Sequence, residues 1–325
     1  MPAGKGDGDG DGRAAPGRRS AASPLVPRGG AFRYVSRPNY LRELLEMTTR
    51  LVPGVLLAAL AVGAMLGRPV HGSAQELARA PAASPASRSL SADRPDFTEA
   101  ASTVGRGVLQ IEFGYTFGGD WSGGNSVQTH TLGELLLRAG VAADWLEVRV
   151  AASPVTRVSS EGSGASDSGI EDLYLGAKVQ LTQQAGRLPA LALLPQMTLP
   201  TGSTLFSGGR ALPGVNLVYS WDAPGGLSLA GSTQINMAAG DDDGSYAEWA
   251  QSAVAGAGLG TRGGVYGEWY AFLPTGADAP REHYFNAGLT WLTADDSQWD
   301  IRIGVGLNEA AEDFFAGVGA AIRIR

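Results

Sequence analysis

The sequence predicts an all-β protein: a transmembrane antiparallel up-and-down β-barrel of about 12 strands, preceded by a signal peptide and a disordered N-terminus. Three observations predict this fold. Residues 108–325 divide into segments in which apolar and polar residues alternate, the connections between them vary in length in a regular way, and a secretory signal precedes them. Charged residues make up 18% of the chain, below the roughly 25% of an average soluble domain.

Three parts precede the barrel: residues 1–46, 47–74 and 75–107. The first is a low-complexity stretch that we expect to be disordered, and Met47 is a natural start of translation, which suggests that the chain as given starts too early. The third begins as a linker rich in proline, alanine and serine. It continues into a periplasmic N-terminal segment that leads to the first strand.

Residues 47–74 are predicted to be the signal peptide. Arg50 precedes an apolar run at 51–67, and small residues follow it, which is the order of features in a secretory signal. The mature chain is therefore expected to begin near Gln75. A membrane anchor helix is the alternative, but the run is shorter than the ~20 residues of a span, and Pro53 interrupts it.

The predicted strands show period-two alternation. In the first, Leu109, Ile111 and Phe113 share one face, and Gln110 and Glu112 share the other. Alternation is clear in 108–117, 144–153, 170–181, 298–307 and 314–324, and weaker in 131–139, 190–200, 213–222, 227–237, 246–259, 263–273 and 283–293. Gln251 falls on the apolar face of its strand, so a bulge or a shifted register is expected there.

The connections alternate between long and short. Odd-numbered loops such as 118–130 and 154–168 are long and rich in glycine and serine, whereas even-numbered turns such as 223–226 and 260–262 are tight. Outer-membrane barrels have long external loops and short periplasmic turns, so this asymmetry favours a barrel in the outer membrane. A soluble β-sandwich or lipocalin-like barrel is the alternative. It would need a core for twelve apolar strand faces and leaves the loop asymmetry unexplained.

In a membrane barrel the apolar face meets lipid and the polar face lines a wet lumen. Aromatic residues near strand ends are predicted to form the interfacial girdles: Phe117, Trp221, Phe285, Trp291, Trp299 and Phe314. Charged residues of the polar face are the candidates for lumen lining and permeation: Glu112, Glu134, Arg138, Glu147, Arg149, Asp172, Lys178, Glu268, Asp300 and Arg302.

A charged cluster lies just before the first strand, in the stretch SADRPDFTEA at 91–100. Its members Asp93, Arg94, Asp96 and Glu99 have two interpretations. They form a gate inside the lumen that pairs with wall arginines, or they cap the periplasmic rim through local hydrogen bonds. The rim is expected, with partial insertion as a gate left open. A catalytic or metal-binding role is not expected, because no histidine lies nearby in the sequence.

Several other classes of function are disfavoured. The chain has no cysteine, which excludes thiolate nucleophiles and cysteine metal sites, and its net charge of −7 argues against nucleic acid as a partner. A calcium site at residues 241–243 competes with a solvated hairpin loop, which is favoured. A hydrolase using His283 and a loop serine is a further alternative. No catalytic residue, metal or cofactor is assigned.

The stretch DRPDFTE at 93–99, followed by LQIEFGYTF at 109–117, resembles the start of the outer-membrane transporter family of the MetA-pathway of phenol degradation. GIEDLYLGAKVQL (169–181) and LPQMTLPTGS (194–203) are similar to internal strands of that family, and the resemblance spans about 91–325. It implies transport of small hydrophobic or aromatic molecules. The chain departs from outer-membrane barrels in ending Ile-Arg-Ile-Arg, where the insertion machinery ordinarily reads an aromatic residue.

The expected function is therefore an outer-membrane channel or transporter for small molecules. Its expected partners are the lipid bilayer of the outer membrane, the barrel-insertion machinery and a small-molecule solute. A non-conducting barrel with a structural or adhesive role, carried by its long loops, is the alternative.

Overall fold

The structure, a computed structural model, describes residues 90–122, 125–240, 244–275 and 279–325. The predicted signal peptide, the predicted disordered stretch and residues 241–243 lie outside these ranges. Within them, no helix has the length and apolarity of a membrane span. The one helical turn in this part of the chain is a 3-10 turn at Thr204–Phe206.

The described residues are mostly β-structure. Fourteen strands follow one another along the chain: β1 (Leu109–Ser122), β2 (Asn125–Gly140), β3 (Leu146–Ala152), β4 (Val155–Ser160), β5 (Ser166–Gly169), β6 (Leu173–Thr182), β7 (Ala190–Leu199), β8 (Leu212–Ala223), β9 (Leu227–Ala239), β10 (Ser245–Leu259), β11 (Gly263–Thr275), β12 (Glu282–Ala294), β13 (Ser297–Gly306) and β14 (Phe314–Ile324).

These strands form one closed antiparallel barrel with twelve strand positions, called here staves, two of which are each filled by two strands. From β6 to β14 each strand pairs with the next, and β1 pairs with both β14 and β2, which closes the sheet. β3 and β4 both pair with β2, at its two ends, so together they make one stave; β5 and β6 make another. The twelve-strand antiparallel barrel predicted from the sequence is confirmed, with two staves interrupted near Pro154 and Glu171.

Two predicted loops are shorter than expected. The stretch 118–130 was predicted as a loop, but β1 and β2 stay paired as far as Ser122 and Asn125. The stretch 154–168 likewise contains β4 and β5, which pair through Thr156–Ser159 and Ser166–Gly169. Serine, threonine and glycine gave these stretches the composition of loops. In an antiparallel hairpin, backbone pairing continues regardless, because it does not depend on apolar side chains.

The two faces of the barrel differ sharply. Large apolar side chains point outward, and Trp299 and Ile303 remain 54% and 55% exposed. Charged side chains point inward, and the most deeply buried of them include Glu112, Arg138 and Lys178. An exposed apolar belt around a polar interior is the arrangement that lipid requires, because a closed barrel leaves no unpaired backbone in hydrocarbon.

Two irregularities bear on side-chain direction. β1 and β2 change register between Glu112 and Gly114, and opposite this point Gly133 and Glu134 have φ of 97° and 31°. A bulge of this kind places an extra residue on one face, and here it turns Glu134 into the lumen. At Gln251 no bulge occurs: β10 keeps register with β9 and β11, and the Gln251 amide bonds to Tyr219 and Ser232 on the outer face.

Candidate functional site

The lumen of the barrel is crossed by residues 90–107, called here the lumen segment. It enters near the start of β1, reaches inward to Phe97 and returns, so that Gly107 donates a hydrogen bond to Gly140 where β2 ends. Along this path it contacts side chains of β1, β2, β3, β6, β10, β11 and β13. Because these strands lie all around the barrel, the lumen segment spans its cross-section.

The carboxylate of Asp93 lies between three cations of the wall, called here the cation cluster: Arg138, Arg149 and Lys178. Its Oδ2 is 2.6 Å from Arg149 Nη2, and its Oδ1 is 3.1 Å from Lys178 Nζ. Arg138 Nε lies 3.3 Å from Oδ2, and the Ala100 N–H also donates to Asp93. Asp93 is only 7% exposed, so these contacts take place away from solvent.

Two wall carboxylates complete the neighbourhood of the cation cluster. Glu147 accepts from Arg138 Nε at 2.8 Å and from the Val104 N–H at 2.9 Å. Glu112 accepts from Arg138 Nη1 and from the backbone N–H groups of Asp93 and Arg94. Each wall carboxylate therefore joins the wall to the lumen segment. Buried charges with partners on several sides are the arrangement that offsets their desolvation.

Arg94 extends toward an acidic part of the wall. Its Nη1 lies 2.7 Å from Glu134 Oε2, and its Nη2 lies 3.4 Å from Asp300 Oδ1. Arg302 contacts Glu134 from the other side and donates to the Pro95 carbonyl at 3.0 Å. Neighbouring residues of the lumen segment thus bind opposite charges of the wall, Asp93 on a basic region and Arg94 on an acidic one.

Glycines of the wall make room for the Arg94 guanidinium. Gly114 and Gly319 face each other in the register of β1 and β14. A Cβ atom added to either one would lie 2.5 Å from Arg94 Cζ, closer than atoms pack. At these two positions glycine leaves room for a neighbouring side chain rather than forming a turn, and a larger residue would displace the guanidinium.

Phe97 is inserted into a group of aromatic side chains, called here the aromatic stack. Its ring is parallel to that of Tyr270 at 4.6 Å, and Tyr270 is in turn parallel to Tyr284 at 4.9 Å. Phe272 meets Phe97 edge-on at 5.5 Å. Aromatic pairs at these separations add to the free energy of burying the rings.

The return path of the lumen segment is held by both polar and apolar contacts. Glu268 accepts the N–H groups of Phe97 and Thr98 at 2.7 Å, and the Thr98 hydroxyl lies 2.6 Å from the Ser252 hydroxyl. Ala101 packs in a small apolar cluster with Leu194, whose side chain points into the lumen. The Thr103 hydroxyl donates to the Asp144 carbonyl near the β2–β3 turn.

A cavity of about 240 Å³ remains between the lumen segment and the wall. Its lining combines polar and aromatic groups: Asp93, Arg94, Asp96, Phe97, Glu99, Glu112, Thr116, Glu134, Leu136, Arg149, Tyr270, Asn286, Arg302 and Phe315. Arg149 Nε and Asn286 Oδ1 are buried without a hydrogen-bond partner among the described residues. The cavity is therefore polar and aromatic at once.

Burial and neighbouring charge shift the acids of the lumen segment in opposite directions. Burial alone would raise the pKa of Asp93, but the cation cluster outweighs it and holds that pKa well below its ordinary value. For Asp96, burial raises the pKa well above the ordinary value, and the nearby charge of Glu268 raises it further. Two acids of one short segment therefore have pKa values displaced in opposite directions.

The expected rim position of the lumen segment is wrong. Asp93 and Arg94 pair deep inside the barrel, because the wall offers charges complementary to both. Of the ten charged residues predicted to line the lumen, nine contact the lumen segment directly: Glu112, Glu134, Arg138, Glu147, Arg149, Lys178, Glu268, Asp300 and Arg302. Glu99 also lies within the lumen, 2.6 Å from Arg149, with its side chain 20% exposed.

Asp172 is the exception among the predicted lining residues. Its two carboxylate oxygens accept the N–H groups of Gly202 and Gly208, each at 2.8 Å, so it anchors the loop between β7 and β8. His283, the candidate for a hydrolase, stacks on Trp269 with centroids 5.9 Å apart. Among the described residues no group of His, Asp and Glu side chains is arranged to hold a metal ion.

Sequence reasoning missed the aromatic stack and the apolar part of the wall. Tyr270 and Tyr284 could have been found. Tyr270 lies two residues from Glu268 and Tyr284 two residues from Asn286, and alternate residues of a strand face the same side. Leu194 and Val218 could not, because their strands do not alternate clearly.

The barrel is similar to solved outer-membrane proteins. An outer-membrane channel from Pseudomonas putida F1 has a TM-score of 0.54 at 14% identity, covering 71% of this chain and 99% of that one. The NanC and KdgM porins have TM-scores of 0.42 and 0.43 at 11% and 10% identity; each match covers 66% of this chain, and 100% and 99% of the porins.

The match to the outer-membrane channel shows a shared fold, and with the lipid-facing belt it locates the chain in the outer membrane. No curated protein matches the sequence. A family model does match, over residues 92–324, so it includes the lumen segment from its third residue onward as well as every strand. The chain belongs to the family described as "Putative MetA-pathway of phenol degradation".

Proposed function

We propose that the protein is a channel for small molecules in the outer membrane, closed by its lumen segment and opened when that segment leaves the wall. The observation that carries this proposal is the lumen segment itself, bound through buried ion pairs across the whole cross-section. A barrel of twelve staves encloses a lumen between the filled eight-stranded and the open sixteen-stranded types, so one short segment is enough to close it.

The contacts of the lumen segment allow it to leave the barrel wall as one piece. The lumen segment forms no strand pairing with the wall, so it can leave without breaking the barrel ladder. When the lumen segment leaves, water can replace its hydrogen bonds. The wall residues keep the ion pairs that they make with each other, such as Arg138 with Glu147. The aromatic stack favours solutes that carry a ring, because Tyr270 offers a flat apolar face inside an otherwise charged lumen.

A reversible tether tests the proposal. Thr98 and Ser252 have their hydroxyl oxygens 2.6 Å apart, and the chain contains no cysteine, so Thr98→Cys/Ser252→Cys provides a unique disulfide between the lumen segment and β10. In planar bilayers the oxidised protein is expected to stay closed, and reduction should restore the conductance of the unaltered chain. Thr98→Cys alone is the control and should not respond to oxidant.

Two outcomes contradict the proposal in different ways. If the oxidised and reduced proteins conduct equally, the lumen segment is not the gate. If no form conducts, and liposomes containing the reduced protein exclude small neutral solutes, the barrel is not a channel. In both outcomes the barrel remains embedded in the lipid bilayer. We also propose that the barrel-insertion machinery and a small-molecule solute are partners of this chain.

A further inference from the structure

We propose that the lumen contains a binding site for small aromatic carboxylates, and that the lumen segment occupies this site as an internal competitor. Asp93 lies where the carboxylate of the ligand would bind, and Phe97 lies where its ring would bind. The inference rests on the proposed channel function, since a solute must be able to reach the lumen.

The first half of the site recognises a carboxylate. The cation cluster carries three positive charges, and the wall carboxylates beside it, Glu112 and Glu147, supply two negative ones. When the lumen segment leaves, it takes both Asp93 and Glu99 away from these cations, so one positive charge is uncompensated in a buried place. Arginine and lysine donors converging on a single carboxylate are the usual means of binding an acid group. Arg149 Nε is buried 3.6 Å from Glu147 Oε1, beyond hydrogen-bond distance, so this donor is not satisfied in the docked state.

The second half of the site recognises a ring. Phe97 lies at the end of the aromatic stack, with its face against Tyr270 and its edge toward Phe272. Since the Phe97 side chain ends in an unsubstituted benzene ring, the space it leaves has the shape of that ring. Aromatic pairing at 4.6 Å then applies to a ligand as it applies to Phe97.

The two halves are adjacent. Asp93 and Arg149 of the first half and Phe97 and Tyr270 of the second half line the same cavity. A molecule that displaces both side chains of the lumen segment thus has a continuous space that touches both groups of the wall. A ligand with only a ring, or only a carboxylate, fills one half and leaves the other to the lumen segment.

Competition links ligand binding to opening. A site cannot hold Asp93 and a ligand carboxylate together, so a bound ligand must raise the population of chains whose lumen segment has left the wall. By the same linkage, a change in the lumen segment that weakens its docking and leaves the wall unaltered must strengthen ligand binding, by up to the same factor. The solute itself would then open the channel.

The test compares three probes: benzoate, benzamide and acetate. Benzamide keeps the ring without the charge, and acetate keeps the charge without the ring. Binding is measured by calorimetry on the full chain in nanodiscs, for the unaltered protein and for Asp93→Asn, which is isosteric but cannot compete as an anion. Benzoate should bind Asp93→Asn at least about tenfold more tightly than the unaltered protein, which corresponds to the loss of one good charge contact. Both other probes should bind at least about tenfold more weakly than benzoate.

Matched variants separate this site from general effects. Asp167→Asn changes an exposed acid of β5 and should leave benzoate binding unchanged. Adding Lys178→Gln to Asp93→Asn should cancel the gain. If Asp93→Asn or its combination fails to insert, Phe97→Ala offers the same comparison at the ring, with lipid-facing Phe113→Ala as its control.

The proposal is overturned if benzamide binds as tightly as benzoate, if acetate does, or if Asp93→Asn leaves benzoate binding unchanged. Calorimetry does not depend on conductance. A barrel that binds benzoate in this pattern but never conducts would reject the channel and keep the site. A barrel that conducts through a movable lumen segment but binds none of the probes would reject only the site.

Discussion

Asp93 and Arg149 are 56 positions apart in the chain, and their side chains meet at 2.6 Å inside the barrel. Both are almost completely removed from solvent, and each has further partners within the same network. Buried ion pairs contribute little net stability when they are complete, but the loss of one partner leaves a charge without compensation. The docking of the lumen segment is therefore sensitive to single residues.

Asp93→Ala should release the lumen segment while leaving the barrel inserted. It removes the carboxylate shared by the cation cluster, and we expect docking to weaken by about 3–5 kcal/mol, as for other buried pairs broken on one side. Chymotrypsin cleavage after Phe97, whose ring packs on Tyr270 in the docked state, compared with the unaltered chain, measures this loss.

Glu99→Ala is the matched control for this prediction. Glu99 bonds only to Arg149 among the described contacts, and its side chain is partly exposed. Its loss should weaken docking by only about 1 kcal/mol, because Glu99 is the more solvent-exposed partner and Arg149 keeps its contact with Asp93. Equal protection of both variants from chymotrypsin would show that burial does not set the strength of these pairs.

Gly114→Ala should displace the Arg94 guanidinium. The added methyl group would overlap the guanidinium carbon, so the side chain must move away from Glu134 and Asp300. We expect a higher open probability in planar bilayers with unchanged heat resistance on a gel. Gly258→Ala is the control, because a Cβ there meets nothing within 4 Å. A Gly114→Ala channel with the gating of the Gly258→Ala channel would contradict the assigned path of Arg94.

Ile303→Arg should destabilise the inserted barrel by roughly 2–4 kcal/mol. Ile303 lies on the outer face of β13 and is 55% exposed, so the arginine would enter the hydrocarbon. Arginine at Ser163, in the turn between β4 and β5, should have an effect near zero. Urea unfolding in lipid vesicles measures both, and a neutral Ile303→Arg would mean that this face does not meet lipid.

Docking of the lumen segment should weaken as pH rises above the ordinary range of an aspartate. The docked state raises the pKa of Asp96, so docking is favoured while Asp96 is protonated and is lost progressively as pH rises through that raised pKa. Open probability measured against pH should therefore increase on the alkaline side. Asp96→Asn should flatten this limb, and an unchanged profile in that variant would assign the effect to another group.

The opposite limb is expected in acid. Docking lowers the pKa of Asp93, so its contribution is complete above the ordinary aspartate value and falls as pH drops toward the lowered one. Asp93→Asn should remove this limb and leave the alkaline one.

The sequence predicted the strands well, because period-two alternation in residues such as Leu109 and Glu112 follows directly from the geometry of a strand between lipid and water. It also identified the charged lining, since a charge in a membrane strand has only one tolerable direction. What it could not supply was the position of Asp93. A charged stretch outside a strand can satisfy its hydrogen bonds either at the rim or in a polar lumen. Its position depends on whether the folded wall presents complementary charges.

The apolar residues that face the lumen could not be recognised from alternation in the sequence. Leu194 lies in a run of alanine and leucine without alternation, so neither face is distinguished by composition. Glu134 was assigned to the correct face by simple parity, yet the bulge at Gly133 shifts the parity of the rest of β2, which places Thr131 rather than His130 inside. Local irregularities of this kind depend on backbone angles that composition does not reveal.

The long sequence separations within the lumen have a consequence for assembly. Arg94 and Asp300 are 206 positions apart, so their contact cannot exist until the last strands have joined the first. Before that moment the lumen segment can bind Arg138, Arg149 and Lys178 of the early strands but lacks Asp300, and contacts this distant form late because closing so large a loop is slow. Complete docking of the lumen segment therefore requires the whole wall, and a barrel whose last strands have not joined leaves Arg94 without Asp300.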